Sequence, residues 1–314
     1  MVKNIKGHLR PIVLIPVGIA AVSMSSILIR FAQGYISSLS IAAFRLLIAV
    51  VLILPFVVLR HHLELRSFSK PDLLSTLMSG LLLAVHFASW ITSLEYTSVA
   101  SSVVLVSTTP LWVAAASPLL LNERVEKRVW LGLVITLMGG LVIAFSDSCA
   151  RTGWNWTCIS LQNLRDGNTL RGDLLAVLGA VSGAGYLIIG RRLRKKYSLL
   201  PYILLVYGAA AVLLALSVLL IEGIPPVFPP KVYFWLILLA IFPQLIGHSI
   251  FNWALRYLPV GYVSVTLLGE PLGSTILAYI ILREIPNQLK IFGAILILSG
   301  IVIASLSQQS SNQT

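Results

Sequence analysis

The stretch LEYTSVASSVVLVSTTPLWVAAASPLLLNERV, residues 94–125, decides how this chain is built. Moved forward by 161 positions, it falls without a gap on LRYLPVGYVSVTLLGEPLGSTILAYIILREIP, residues 255–286. Leu94 meets Leu255, Tyr96 meets Tyr257, Val99 meets Val260, Pro110-Leu111 meets Pro271-Leu272, Leu121 meets Leu282, and Glu123 meets Glu284. Further on, Gly132 meets Gly293 and Gly139 meets Gly300. Leucine and valine coincide cheaply in an apolar chain. Tyr, Pro, Glu and two Gly in one register do not, so the chain reads as an internal duplication. Upstream the agreement is weaker, at a similar offset: Ala21-Val22-Ser23 and Leu28-Ile29 against Ala180-Val181-Ser182 and Leu187-Ile188.

Of the 314 residues, 57% are hydrophobic and 11% charged, with mean hydropathy +0.92. A soluble domain carries about 25% charged residues, so this deficit points to a membrane. A bilayer core is about 30 Å thick and a spanning helix needs about 20 mostly apolar residues. Ten runs qualify: 12–31, 37–59, 72–93, 97–120, 129–146, 173–190, 201–221, 232–253, 262–282 and 288–306. The first is longer than the roughly 7–15 apolar residues of a signal peptide and is kept as a span. The predicted fold is an all-α membrane protein of ten transmembrane helices in two five-helix repeats, residues 12–146 and 173–306. A linker over 147–172 joins them, and a disordered cytoplasmic tail follows at 307–314. Five spans per repeat is an odd number. The second repeat therefore starts on the opposite side of the membrane, the inverted topology common in secondary transporters.

A net charge of +12 could suit nucleic acid, but most Lys and Arg lie in short loops between apolar runs, where they set orientation in a bilayer. Fifteen fall on the side of the N-terminus and seven on the far side, with Arg45 inside a span. Both termini are therefore expected in the cytoplasm. The linker then faces outward, where a disulfide between Cys149 and Cys158 is allowed. The same loop carries a glycosylation sequon, Asn155-Trp156-Thr157. No Cys/His spacing suggests a metal.

Charge at membrane depth marks function or a structural pair. Arg45 lies inside span 2 and Glu270 near the middle of span 9, with opposite sign and in opposite repeats. One reading is an ion pair that fixes packing or gates. The other is a solute or proton site at Glu270, because Pro271 favours a break in the helix beside the carboxylate. In span 8, Gln244, His248 and Asn252 repeat at i, i+4 and i+8, which puts them on one face of an α-helix. In span 3, His86 and Trp90 repeat at i and i+4, and His86 matches Gly247, one position from His248. Such polar groups either line a cavity or bond between helices. The Ser and Thr of span 4, and Gly179-x-x-x-Gly183 before Tyr186, read as close helix packing. Glu123 and Glu284 read as solvated helix-end charges on opposite sides, placed so that each could help seal its end.

Nothing in the chain matches a nucleotide-binding loop, a G-x-S-x-G elbow, H-E-x-x-H or a dinucleotide loop. An enzyme, a cofactor and an ATP-driven pump are not expected. Phe44-Arg45, Leu94 to Ala100, Pro110, Asn122-Glu123-Arg124, Gly269-Glu270-Pro271 and Arg283-Glu284 together resemble the drug/metabolite transporter superfamily, in its ten-helix EamA branch. The resemblance covers residues 12–306. It implies a multi-pass carrier of the plasma (inner) membrane that moves a small metabolite, such as an amino acid, nucleobase or drug-like solute, outward through a cavity between inverted halves. Asn122 departs from the pattern, standing where the first repeat more often has Gly, and Arg283 fills the matching place in the second. The reading is alternating access around a midplane site lined by spans 3, 4, 8 and 9, with a facilitative channel or a membrane-embedded enzyme as alternatives. His86, Trp90, Gln244, His248, Asn252 and Glu270 are expected to contact solute or proton, with Arg45 as partner or gate. The expected partners are the bilayer and a small solute, with proton coupling as one reading; no nucleic acid is expected, and the protein is read as a monomer or weak homodimer.

Overall fold

The structure, a computed structural model, describes residues 2–97, 102, 105–123, 125–152, 155–158, 167–282 and 288–310. Span 1 is two helices, α1 (Val2–Ser23) and α2 (Ser25–Gln33), with a break at Met24. Spans 2 to 5 are α3 (Ser38–Arg66), α4 (Lys70–Tyr96), α5 (Thr109–Leu121) and α6 (Lys127–Ser148). An antiparallel hairpin, β1 (Cys149–Thr152) and β2 (Asn155–Cys158), follows inside the linker, so the chain is not wholly α-helical. Its register sets Cys149 opposite Cys158. Spans 6 and 7 are α7 (Gly167–Arg194) and α8 (Leu199–Ile221). Span 8 is α9 (Pro230–Leu239), a π-helical stretch at Ala240–His248 and α10 (Ser249–Ala254). Span 9 is α11 (Val260–Thr266), a 3₁₀ turn at Leu267–Gly269 and α12 (Glu270–Leu282), and span 10 is α13 (Gln288–Ser310). Helix α7 thus begins inside the stretch read as the linker. The expected disordered tail is helical as far as Ser310, and residues 311–314 lie outside the described ones.

Among the described residues, seven helices are long and apolar enough to cross a membrane, and Thr109–Leu121 and Ile291–Ala304 are shorter apolar helices. The exposed surface carries leucine, valine and phenylalanine in quantity, for example Leu59, Leu119, Leu220 and Phe292. A soluble protein would bury such a skirt; a bilayer accepts it.

Glycines show how the two halves meet. A Cβ on Gly132 would stand 2.5 Å from the Gly300 carbonyl oxygen, and one on Gly139 would stand 2.6 Å from that of Gly293. In the repeat register Gly132 matches Gly293 and Gly139 matches Gly300. Each glycine therefore packs on the counterpart of the other, which is the self-complementary contact of a two-fold axis. The small residues let α6 and α13 lie backbone against backbone. The same symmetry recurs elsewhere. Gly179 of α7 abuts Ser89 and Trp90 of α4, while Gly18 of α1 abuts Ile250 and Phe251. Gly183 faces His86, and Gly247 faces Val22. All of these are matched pairs at the 161-residue offset.

Polar contacts fall into two separate groups at the ends of the helices. At one end Ser198 N donates to Glu64 (2.6 Å), Lys196 pairs with Asp72 (3.1 Å) and Arg191 pairs with Glu123 (2.7 Å). At the other, Ser38 N donates to Glu95 (3.3 Å), Ser37 to Glu222 (2.7 Å), Thr97 to Asp173 (2.8 Å) and Lys231 to Tyr35 (2.6 Å).

Candidate functional site

Two prolines at matched positions shape the centre. Pro110 has no amide to offer the Val106 carbonyl, and the Thr109 hydroxyl donates to that carbonyl instead, at 2.8 Å. Pro271 leaves the Leu267 carbonyl in the same position, and there the Glu270 amide closes a 3₁₀ turn onto it. Each repair starts a fresh helix, α5 at Thr109 and α12 at Glu270. The Glu270 carbonyl in turn accepts from Ser23 of α1, at 3.1 Å. Span 9 is thus broken beside a carboxylate, the arrangement that Pro271 suggests.

Around these breaks lies a cavity of about 80 Å³. By volume it holds on the order of five waters. Its lining repeats itself across the two halves. Val22 and Gly183, Ser25 and Tyr186, Trp90 and Phe251, Val106 and Leu267, Ser107 and Leu268, and Thr109 and Glu270 are all repeat-matched pairs, and all line it. His86 and His248, one position out of register, complete the wall. The cavity therefore sits on the pseudo-two-fold axis. Spans 1 and 6 contribute as much as spans 3, 4, 8 and 9, which the sequence reading left out because Val22, Ser25, Gly183 and Tyr186 carry no charge.

Four of the expected contacts line this cavity: His86, Trp90, His248 and Glu270. His86 Nδ1 lies 2.8 Å from the Gly179 carbonyl. A carbonyl only accepts, so Nδ1 carries the proton and the neutral ring keeps Nε2 as an acceptor. The His86 and Trp90 rings lie nearly parallel, 6.1 Å apart at 21°. Trp90 Nε1 is buried and has no hydrogen-bond partner among the described residues. The Glu270 carboxylate, half-buried, has no hydrogen bond or ion pair among the described residues.

Gln244, Asn252 and Arg45 do not line the cavity. Gln244 lies in the π-helical stretch, whose turns are wider than those of an α-helix, so the i, i+4, i+8 spacing no longer gives one face. Pro243, which cannot bond Leu239, sits within that stretch. Gln244 accepts from Arg45 Nη2 at 2.9 Å, and Asn252 donates to Tyr186, to Tyr207 (3.4 Å) and to the His248 carbonyl (2.8 Å). Arg45 is wholly buried one layer behind the wall. It reaches Ser25 at 3.5 Å and stacks on Phe87 at 4.2 Å, and Phe87 meets His248 edge to face. Among the described residues, no carboxylate lies within ion-pair distance of Arg45. Glu270 and Arg45 share the region without touching, and Gln244 takes the place expected for the acid.

Helices with apolar outer faces around a small cavity make this a multi-pass membrane protein. The EamA-like transporter family model matches the chain twice, over residues 9–145 and 170–306. The chain belongs to the EamA-like transporter family. The two matches are offset by 161 residues, the same register that the glycine contacts and the cavity wall obey. An uncharacterized transporter of Archaeoglobus fulgidus is 26% identical over 91% of this chain and 96% of its own length. The uncharacterized transporters YyaM and YdfC of Bacillus subtilis are 22% and 24% identical, over 88% and 90% of this chain and 88% and 86% of their own lengths. A solved crystal structure superposes with a TM-score of 0.76 at 19% identity, covering 95% of this chain and 98% of the other, and shares the fold.

Proposed function

We propose that this transporter is a secondary carrier that exports a small organic solute across the plasma (inner) membrane by alternating access. It has ten spans, the two halves inverted and both termini cytoplasmic. The observation that carries this reading is the cavity: a wall of repeat-matched residues at the junction of the halves, holding an unpartnered carboxylate at a helix break. A channel has no need of such a site.

The wall sets what the solute must offer. Trp90 and Phe251 supply apolar faces, Trp90 Nε1 asks for an acceptor, and Glu270 asks for a donor or a proton. Amino acids, nucleobases and drug-like amines of small size meet those terms. Glu270 is the proton site of the cycle, with Arg45 as its distant counter-charge. The linker hairpin faces outward, and Cys149 and Cys158, opposite one another in it, form a disulfide.

Counterflow of a labelled panel of amino acids and nucleobases into proteoliposomes at two pH values is the test. Saturable, trans-stimulated uptake of one solute class is expected. Glu270→Gln should abolish pH-driven transport and spare solute exchange. Equal gradient-driven and exchange rates in that variant remove the coupling, and absence of counterflow with folded protein removes the carrier.

A further inference from the structure

One carboxylate ties the two repeats together at one end of the molecule. The left-handed Asn122 (φ 55°) ends α5 and turns the chain so that Glu123 reaches the second repeat. Glu123 Oε1 accepts from Arg191 Nε of α7 at 2.7 Å and from Lys195 Nζ, just past the end of α7, at 3.1 Å. Its Oε2 accepts from the Val260 amide at the head of α11, at 3.3 Å. Arg191 also donates to the Leu255 carbonyl at the close of span 8, at 2.6 Å. The Arg191 and Glu123 side chains are only 10% and 17% exposed. A single acid of the first half thus holds the ends of spans 6, 8 and 9 of the second. Arg191 lies about one helical turn beyond the cavity residues Tyr186 and Leu187 along α7.

The repeat register assigns a counterpart to each part of this clasp. Arg191 matches Arg30, Leu255 matches Leu94, Val260 matches Val99, and Glu123 matches Glu284. Glu284 lies outside the described residues. Arg30 sits in α2, exposed, and makes no ion pair among the described residues. Of two symmetry-related arginines at opposite ends of the molecule, one is clasped and buried and the other is exposed.

We infer that Glu123–Arg191 is the latch that closes the cavity toward its own face. The inference rests on the alternating-access reading above. Exchange of the two halves' conformations releases Glu123 from Arg191 and Val260 and opens the cavity to that face. Arg191 does not touch solute; it positions the halves.

Cavity access can be read without any solute. The full chain is placed in oriented membrane vesicles with Cys149 and Cys158 replaced by Ser and Thr109→Cys as a reporter on the cavity wall. A membrane-impermeant maleimide is applied to one face at a time. With Glu123 and Arg191 intact, the reporter should be protected from the Glu123 face. Glu123→Gln and Arg191→Gln should each raise labelling from that face by about fivefold or more, as expected for losing a conformational coupling. Labelling from the opposite face should fall in the same variants, because the halves then rest in the other conformation, whereas loosened packing alone would raise labelling from both faces. Unchanged labelling in both single variants, with monodisperse protein, or a rise from both faces, overturns the latch. If Glu123→Gln does not fold, Lys195→Gln, at a 51% exposed side chain, should give a smaller rise in the same direction, and no rise there also overturns the latch. Failure of counterflow with this labelling pattern intact would refute the carrier and leave the latch standing.

Discussion

Arg45 is a buried charge with no carboxylate within ion-pair distance among the described residues, and its short hydrogen bond is to Gln244, at 2.9 Å. A hydrogen bond to a charged group is worth about 1.5–3 kcal/mol, and a buried charge left without it bears the full loss. Gln244→Leu should therefore lower stability by about that amount, read as a drop in melting temperature of the detergent-solubilised protein, whereas Gln244→Glu should fold. Trp90 has the opposite character, since its indole donor has nothing to bond. Trp90→Phe keeps an aromatic wall and removes an unsatisfied donor. Solute KM should rise with little change in melting temperature; a fall in stability as large as that of Gln244→Leu would show that the indole is structural.

Elements meet here through absent side chains. Gly132 and Gly300 leave no room for a methyl: on each, a Cβ would stand 2.5 Å from the other's carbonyl oxygen. Gly140, on the same helix α6, has nothing within 4 Å of its Cβ position. Overpacking costs about 1–3 kcal/mol, so Gly132→Ala and Gly300→Ala should each destabilise by that much and Gly140→Ala should not, as measured by thermal unfolding. The duplication could be read because glycines and prolines cannot be exchanged for other apolar residues without breaking these contacts. Upstream, identity alone aligns Ala21-Val22-Ser23 with Ala180-Val181-Ser182. The structure instead pairs Gly18 with Gly179 and Val22 with Gly183, because packing there depends on the sum of two facing volumes and not on identity. His86, Trp90, His248 and Glu270 were legible as cavity residues because polar or amphipathic groups at membrane depth need a reason. Ser25 and Tyr186 were not, since each is ordinary alone and becomes a matched pair only in three dimensions. The scatter of Gln244, His248 and Asn252 was illegible because one proline widened a turn, and helical periodicity assumes that no turn does.

For the whole molecule, pH should act on stability at the end held by Glu123. Burial pushes the Glu123 carboxyl up, but hydrogen bonds and charge from Arg191 and Lys195 outweigh it and hold the group below its ordinary value of 4.5. A depressed carboxyl stabilises the folded state above its unfolded value and loses that contribution as pH falls through the folded one. The stability difference between the unaltered protein and Glu123→Gln should therefore be constant above pH 4.5 and shrink below it. Melting curves across that range check this, and a difference that persists at the lowest pH would mean that the carboxylate charge is not what holds the end shut.

The glycine contact between α6 and α13 also carries a history. Gly132 meets the counterpart of Gly139, and Gly139 meets the counterpart of Gly132, so a half-length chain bearing both glycines could make the same contact with another copy of itself, inserted the other way round. Joining two such copies end to end removes the need for them to find each other and frees each to diverge. The cavity shows what that freedom permits: Thr109 and Glu270 occupy one ancestral position, and a single acid stands where twin copies would have had to place two or none.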